Sequence, residues 1–147
     1  MRSTVRSIAI AAGLLLLTGV QPARAQVTDA IQFTTTFPFA VGYATVPAGT
    51  YTVRPDDDDP SILELTGGHI GVLFATDNIQ ARQAPSKSEI VFTRFGDSYV
   101  LKDVWLDGSN TGAEARTAEG ERHAAKHGDA KAEHRVAALR VDTSKDR

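Results

Sequence analysis

The chain has 147 residues, of which 41% are hydrophobic and 23% charged, with a formal net charge of −2 and no cysteine. The lack of cysteine excludes disulfides, thiolate metal sites, thiol catalysis and a lipidated N-terminal cysteine. An acidic balance argues against a nucleic-acid interface, which needs Lys and Arg clustered against phosphates.

Residues 1–25, "MRSTVRSIAIAAGLLLLTGVQPARA", place Arg2 and Arg6 ahead of an apolar run from Ile8 to Val20 and end in Ala23-Arg24-Ala25. This is the pattern of a bacterial signal peptide cleaved before Gln26. The apolar run is shorter than the roughly 20 residues a membrane span needs. The expectation is therefore a secreted protein, periplasmic or extracellular, with no stable membrane insertion after cleavage. Removal of Arg2, Arg6 and Arg24 takes no acid with it and leaves a net charge of −5.

Residues 26–112 read as short strands separated by turn residues. In "IQFTTTFPFAV" the residues Ile31, Phe33, Phe37, Phe39 and Val41 fall on alternate positions, a strand signal that Pro38 marks as an edge or a bend. Pro47-Ala48-Gly49 turns the chain into a strand from Thr50 to Arg54. Ser61 to Leu65 and His69 to Thr76 form a pair joined at Thr66-Gly67-Gly68, and "SEIVFTRF" and "SYVLKDVW" form a hairpin around Gly96-Asp97. Six strands at this spacing predict a mainly β fold, a small antiparallel β-sandwich or barrel. Phe33, Phe37, Phe39, Val53, Leu63, Leu65, Val72, Phe74, Val91, Phe95, Val104 and Trp105 are its expected core.

Residues 113–147 change to alanine and charge. The composition predicts a marginal C-terminal helix with Ala118, Ala125, Ala132, Val136 and Leu139 on one face and a frayed end from Asp142.

Asp56, Asp57, Asp58 and Asp59 stand between Pro55 and Pro60. A helix-loop-helix calcium site needs glycine at its sixth position and glutamate at its twelfth. Counted from Asp56, those positions hold Ser61 and Gly67. A solvated turn is the favoured reading, with divalent-metal binding by these aspartates as the alternative. His123 and His127, four residues apart, would share a helical face with Glu119 and could bind zinc or copper. Ala124 stands where a metalloprotease helix carries glutamate. The favoured reading there is a solvated helix, so no cofactor is required. Tyr43, Tyr51, Tyr99 and Trp105 are the candidate stacking residues for a ligand, against a purely structural role.

Together, "FPFAVGYATVPAGTYTV", "SKSEIVFTRFGDSYVLKDVW" and "GSNTGAEA" resemble a group of uncharacterised secreted β-rich proteins common in Acidobacteria and related soil bacteria. The likeness runs through Phe39, Val41, Gly42, Pro47, Ala48, Gly49, Tyr51, Val53, Arg94, Phe95, Gly96, Asp97 and Trp105. It implies a shared fold of turn glycines and aromatic positions and brings no activity with it. The functional expectation is a non-enzymatic secreted β-domain, a binding module or an envelope or extracellular structural protein with an unknown protein or polysaccharide partner. A periplasmic metal-binding protein using the tail histidines is the alternative. A hydrolase comes third, because no Gly-x-Ser-x-Gly elbow is present.

Overall fold

Pro38 decides where the first strand ends. It has no N–H for a ladder and disfavours a helical conformation at Phe37, and the chain bends at Thr36 and Phe37, so the apolar run from Ile31 to Val41 breaks in two. The computed structural model describes Val27, residues 29–116 and residues 131–142. In it the chain forms β1 (Ala30–Thr35), β2 (Phe39–Val41), β3 (Ala44–Val46), β4 (Gly49–Pro55), β5 (Ile62–Gly67), β6 (Ile70–Gln80), β7 (Glu89–Phe95), β8 (Ser98–Trp105), β9 (Thr111–Ala115) and β10 (Lys131–Val141).

Eight of these strands close into an antiparallel barrel in the order β1, β4, β5, β6, β9, β8, β7, β10, with β10 returning to β1. The first half is a meander. The second follows a Greek-key order, since β7, β8 and β9 are consecutive neighbours and β10 comes back beside β7. The β2–β3 hairpin is the additional pair. β2 runs parallel to β8 at Ala40 and Val100, and β3 pairs only with β2.

Ten strands replace the six expected, and the C-terminal helix is not found among the described residues. β9 runs through the expected boundary at Gly112, and residues 131–141 form a strand between β7 and β1. The backbone edges of β7 and β1 offer β10 a ladder on both sides, which outweighs a modest helical propensity. A period of two separates residues that a helical period groups together. Val136 and Ala138 pack on the core, whereas Leu139 points outward and is 74% exposed. Ala118, Ala125 and the signal segment 1–25 lie outside the described residues.

The barrel interior is filled by side chains. Ile31 and Phe33 meet Val53, Leu63, Leu65, Ile90, Phe92 and Leu101, while Phe39, Val41 and Val46 of the hairpin complete the cluster. Full burial of each such side chain contributes about 1.5–3 kcal/mol. Val91, Phe95 and Trp105 are buried as expected but stand apart from this cluster, and Phe37 and Val72 are only partly buried. Two glycines explain local shape. A Cβ on Gly112 would lie 2.6 Å from the Trp105 indole across the β8–β9 ladder, and one on Gly67 would lie 2.4 Å from Thr50 O and 2.6 Å from the Tyr51 ring. Tyr51 is pinned further by its hydroxyl, which donates to Pro47 O at 2.8 Å.

Candidate functional site

With the interior packed, binding chemistry must sit on the surface, and the richest arrangement of rings is at the β7–β8 turn end of the barrel. The break at Pro38 sends Phe37 across that end. Its ring stacks on Tyr99 of β8, with centroids 3.9 Å apart and planes 21° from parallel. It meets Phe92 edge-on at 5.3 Å and His134 of β10 edge-on at 5.2 Å, and His134 meets Tyr99 at 5.6 Å. Arg94 is opposite Tyr99 in the β7–β8 ladder and places its guanidinium 5.7 Å from the Tyr99 ring centre. The Arg94 Nε donates to Gly96 O at 2.7 Å, and Asp97 lies 3.7 Å away, so the turn, in which Gly96 takes a positive φ of 59°, orients the cation.

The register explains the convergence. Arg94, Phe92 and Ile90 alternate along β7, with Ala132, His134 and Val136 opposite them on β10 and Tyr99, Leu101 and Val104 opposite them on β8. All belong to the inner face, and where the barrel ends that face reaches solvent. Phe37 and Tyr99 are half-buried and His134 is exposed. Chemically, this surface can stack against a flat or ring-shaped group and offer it donors from Arg94 and His134.

A second concentration of charge lies midway along the wall. Phe92 pairs with Leu101 and Val91 with Asp103, so Lys102 is the extra residue of a β-bulge. In a regular strand Asp103 would follow Leu101 into the core. The bulge turns it to the outer side beside Val91 and brings Val104 inward. Asp103 remains buried, its Oδ1 has no hydrogen-bond partner among the described residues, and burial pushes its carboxyl up to about 6. The Lys102 ammonium, 3.9 Å away, opposes that rise, and the charges of Glu114 and Glu133 add to it. Lys102 itself donates to Glu133 Oε1 at 2.8 Å, reaching from β8 to β10 across β7.

The candidate stacking residues of the sequence do not form one site. Tyr99 belongs to the ring cluster. Tyr43 is 90% exposed at the β2–β3 turn, Tyr51 is in the core, and Trp105 lies against Gly112. The aspartate run forms the β4–β5 connection, where Asp56 Oδ1 accepts from the N–H groups of Asp58 and Asp59, and Asp59 Oδ1 accepts from the N–H and hydroxyl of Ser61. Ser61 accordingly holds the Asp59 carboxyl below its ordinary range. Glu119, His123 and His127 lie outside the described residues. Among the described residues no three His, Asp or Glu side chains are grouped as a metal site. The sequence alone puts Phe37 in the core, Arg94 only within the resemblance and His134 near the helical face of His123 and His127, and brings none of the three to a common site. Alternation along residues 131–141 is the signal that would have placed His134 beside β7. No family model matches the chain, and neither a curated protein nor a solved structure matches it.

Proposed function

We propose that the chain is a secreted, non-enzymatic β-domain that binds a polysaccharide or protein partner through the ring cluster at the β7–β8 turn end of its barrel. The observation that carries this reading is the stacked pair of Phe37 and Tyr99, half-buried at the surface and flanked by His134 and Arg94. A ring that serves only the core would sit deeper. This pair is anchored on Phe92 from below and keeps part of its surface toward solvent, which suits the apolar face of a sugar or an aromatic side chain of a peptide. The reading needs no cofactor. It is tested by calorimetric titration of the chain beginning at Gln26, which contains every described residue, with cellohexaose, chitohexaose and a Tyr-rich peptide. Tyr99→Ala should weaken binding about tenfold, the worth of one stacking contact, while Tyr43→Ala leaves it unchanged. Equal affinity in Tyr99→Ala, no binding of any probe at millimolar concentration, or turnover of a probe would overturn the reading.

A further inference from the structure

Among the described residues the barrel wall has an open edge, and the edge is self-complementary. β6 has 11 residues, but β9, which closes the ring against it, has five. β9 pairs with β6 only from Thr76 to Gln80, so among the described residues Ile70 to Ala75 pair with β5 alone. Among the described strands β3 comes close to the gap, since the Cβ position of Gly42 at its turn is 3.9 Å from Phe74 Cβ, yet β3 does not pair with β6.

One bond gives the direction of the free backbone groups. The Arg116 N–H donates to Ala75 O at 2.9 Å, on the β9 side of β6. Alternate residues of a strand aim their N–H and C=O at the same edge. Gly71 and Leu73 therefore direct four groups to the open side, while Val72 and Phe74 bond toward β5. Edges of this kind are ordinarily blunted by charge or proline. Ile70 to Ala75, "IGVLFA", has neither. Leu73 is 60% exposed, and a Cβ built on Gly71 has nothing within 4 Å.

We propose that this edge pairs antiparallel with the same edge of a second copy of the chain, about a two-fold axis at Val72. Centred there, Gly71 faces the partner's Leu73 and Leu73 faces the partner's Gly71, so all four free groups on each side are satisfied. The two residues share one face of β6, and each Leu73 side chain enters the open space above the partner's glycine. An axis at Leu73 would instead set Gly71 against the partner's Ala75, whose carbonyl is already taken. The interface is isologous and, being one strand pair, small against the roughly 1,200 Å² of a stable complex. The dimer is weak and grows with concentration. This inference is independent of the ring cluster.

Sedimentation equilibrium of the chain beginning at Gln26, from about 1 μM to about 1 mM, should show reversible dimerisation. Hydrogen exchange at the Gly71 and Leu73 amides should slow as the dimer forms while that at Val72 does not change. Leu73→Lys, which sets like charges on both copies, and Gly71→Val, which fills the recess, should both remain monomeric with an unchanged melting temperature. A wild-type monomer at the highest concentration overturns the proposal. So does dimerisation by either variant, or a dimer whose Gly71 and Leu73 amides exchange as in the monomer.

Discussion

At one end of the barrel a single guanidinium ties the chain together, and at the other end a group of rings does. Arg140 of β10 donates from Nη1 to Asp29 ahead of β1 at 2.6 Å, from Nε to the Asp107 carboxylate at 2.7 Å, and from Nη2 to Asp107 O after β8 at 2.7 Å. Ser88, just before β7, donates its hydroxyl to the same Asp107 carboxylate at 2.8 Å and accepts the Asp107 N–H. Donors and acceptors there satisfy one another. The ring end is closed differently, because Phe37 meets Phe92 and His134 edge-on, Tyr99 meets His134 edge-on, and the stacked pair is only partly buried. The comparison teaches that a polar closure exhausts its own binding capacity, whereas an aromatic closure retains some.

The largest effect should come from undermining the aromatic closure. Phe92 is fully buried and lies 5.1 to 6.2 Å, centroid to centroid, from Phe33, Phe37 and Phe39. Phe92→Ala leaves a cavity beneath Phe37 and should cost about 3–5 kcal/mol in denaturant unfolding. It should also disperse the Phe37–Tyr99 stack, read as a loss of the ring-shifted Tyr99 resonances. A cost below about 1 kcal/mol, the range of a surface change, would mean that the rings are not the upper layer of the core.

How far this comparison is visible in the sequence depends on the residue. The β7–β8 hairpin, the alternation of Leu63 with Leu65 and the turn at Gly96 are local patterns, and local patterns survive without a partner. β10 is different. Its alanines and charges carry little preference, and only the waiting edges of β7 and β1, distant in sequence, make it a strand. His134 was hidden for the same reason. Asp103 shows a third limit, because one unpaired residue at Lys102 exchanges inside and outside for all that follows on β8. Nothing in "SYVLKDVW" marks that residue, since an Asp at the end of a strand is ordinarily a surface charge.

Asp103 lies on the wall between the two ends and sharpens the comparison through pH. Its folded carboxyl titrates at about 6, above the usual carboxylate value near 3.8, mainly because it is buried. Between those values the folded chain binds more protons than the unfolded one, so this group's contribution to stability falls as pH rises from 4 to 7. Asp103→Asn removes the buried charge and should stabilise the barrel at pH 7 by up to about 3 kcal/mol, with little effect at pH 3, where the carboxyl is neutral in both states. Chemical denaturation at the two pH values measures this. A variant less stable than wild type at pH 7 would show that the ionised carboxylate is favourably paired with Lys102.

The polar end should respond in the opposite sense and more weakly. The Ser88 hydroxyl, and after it Arg140, hold the Asp107 carboxyl below its ordinary range. An acid with a lowered folded value contributes stability above its unfolded value and loses it as pH falls, so this end loosens at low pH, where the Asp103 penalty has been relieved. Arg140→Ala should therefore lower the melting temperature at pH 7 less than Phe92→Ala does, because its partners are solvated and screened. The loss should shrink further in about 1 M salt, where the screening length is near 3 Å, and again at low pH, as the Asp107 carboxyl takes up its proton. A loss that persists at high salt and low pH would assign Arg140 a packing role through its alkyl stem. In that case both ends of the barrel would be held by apolar contact, and the guanidinium would only orient the chain.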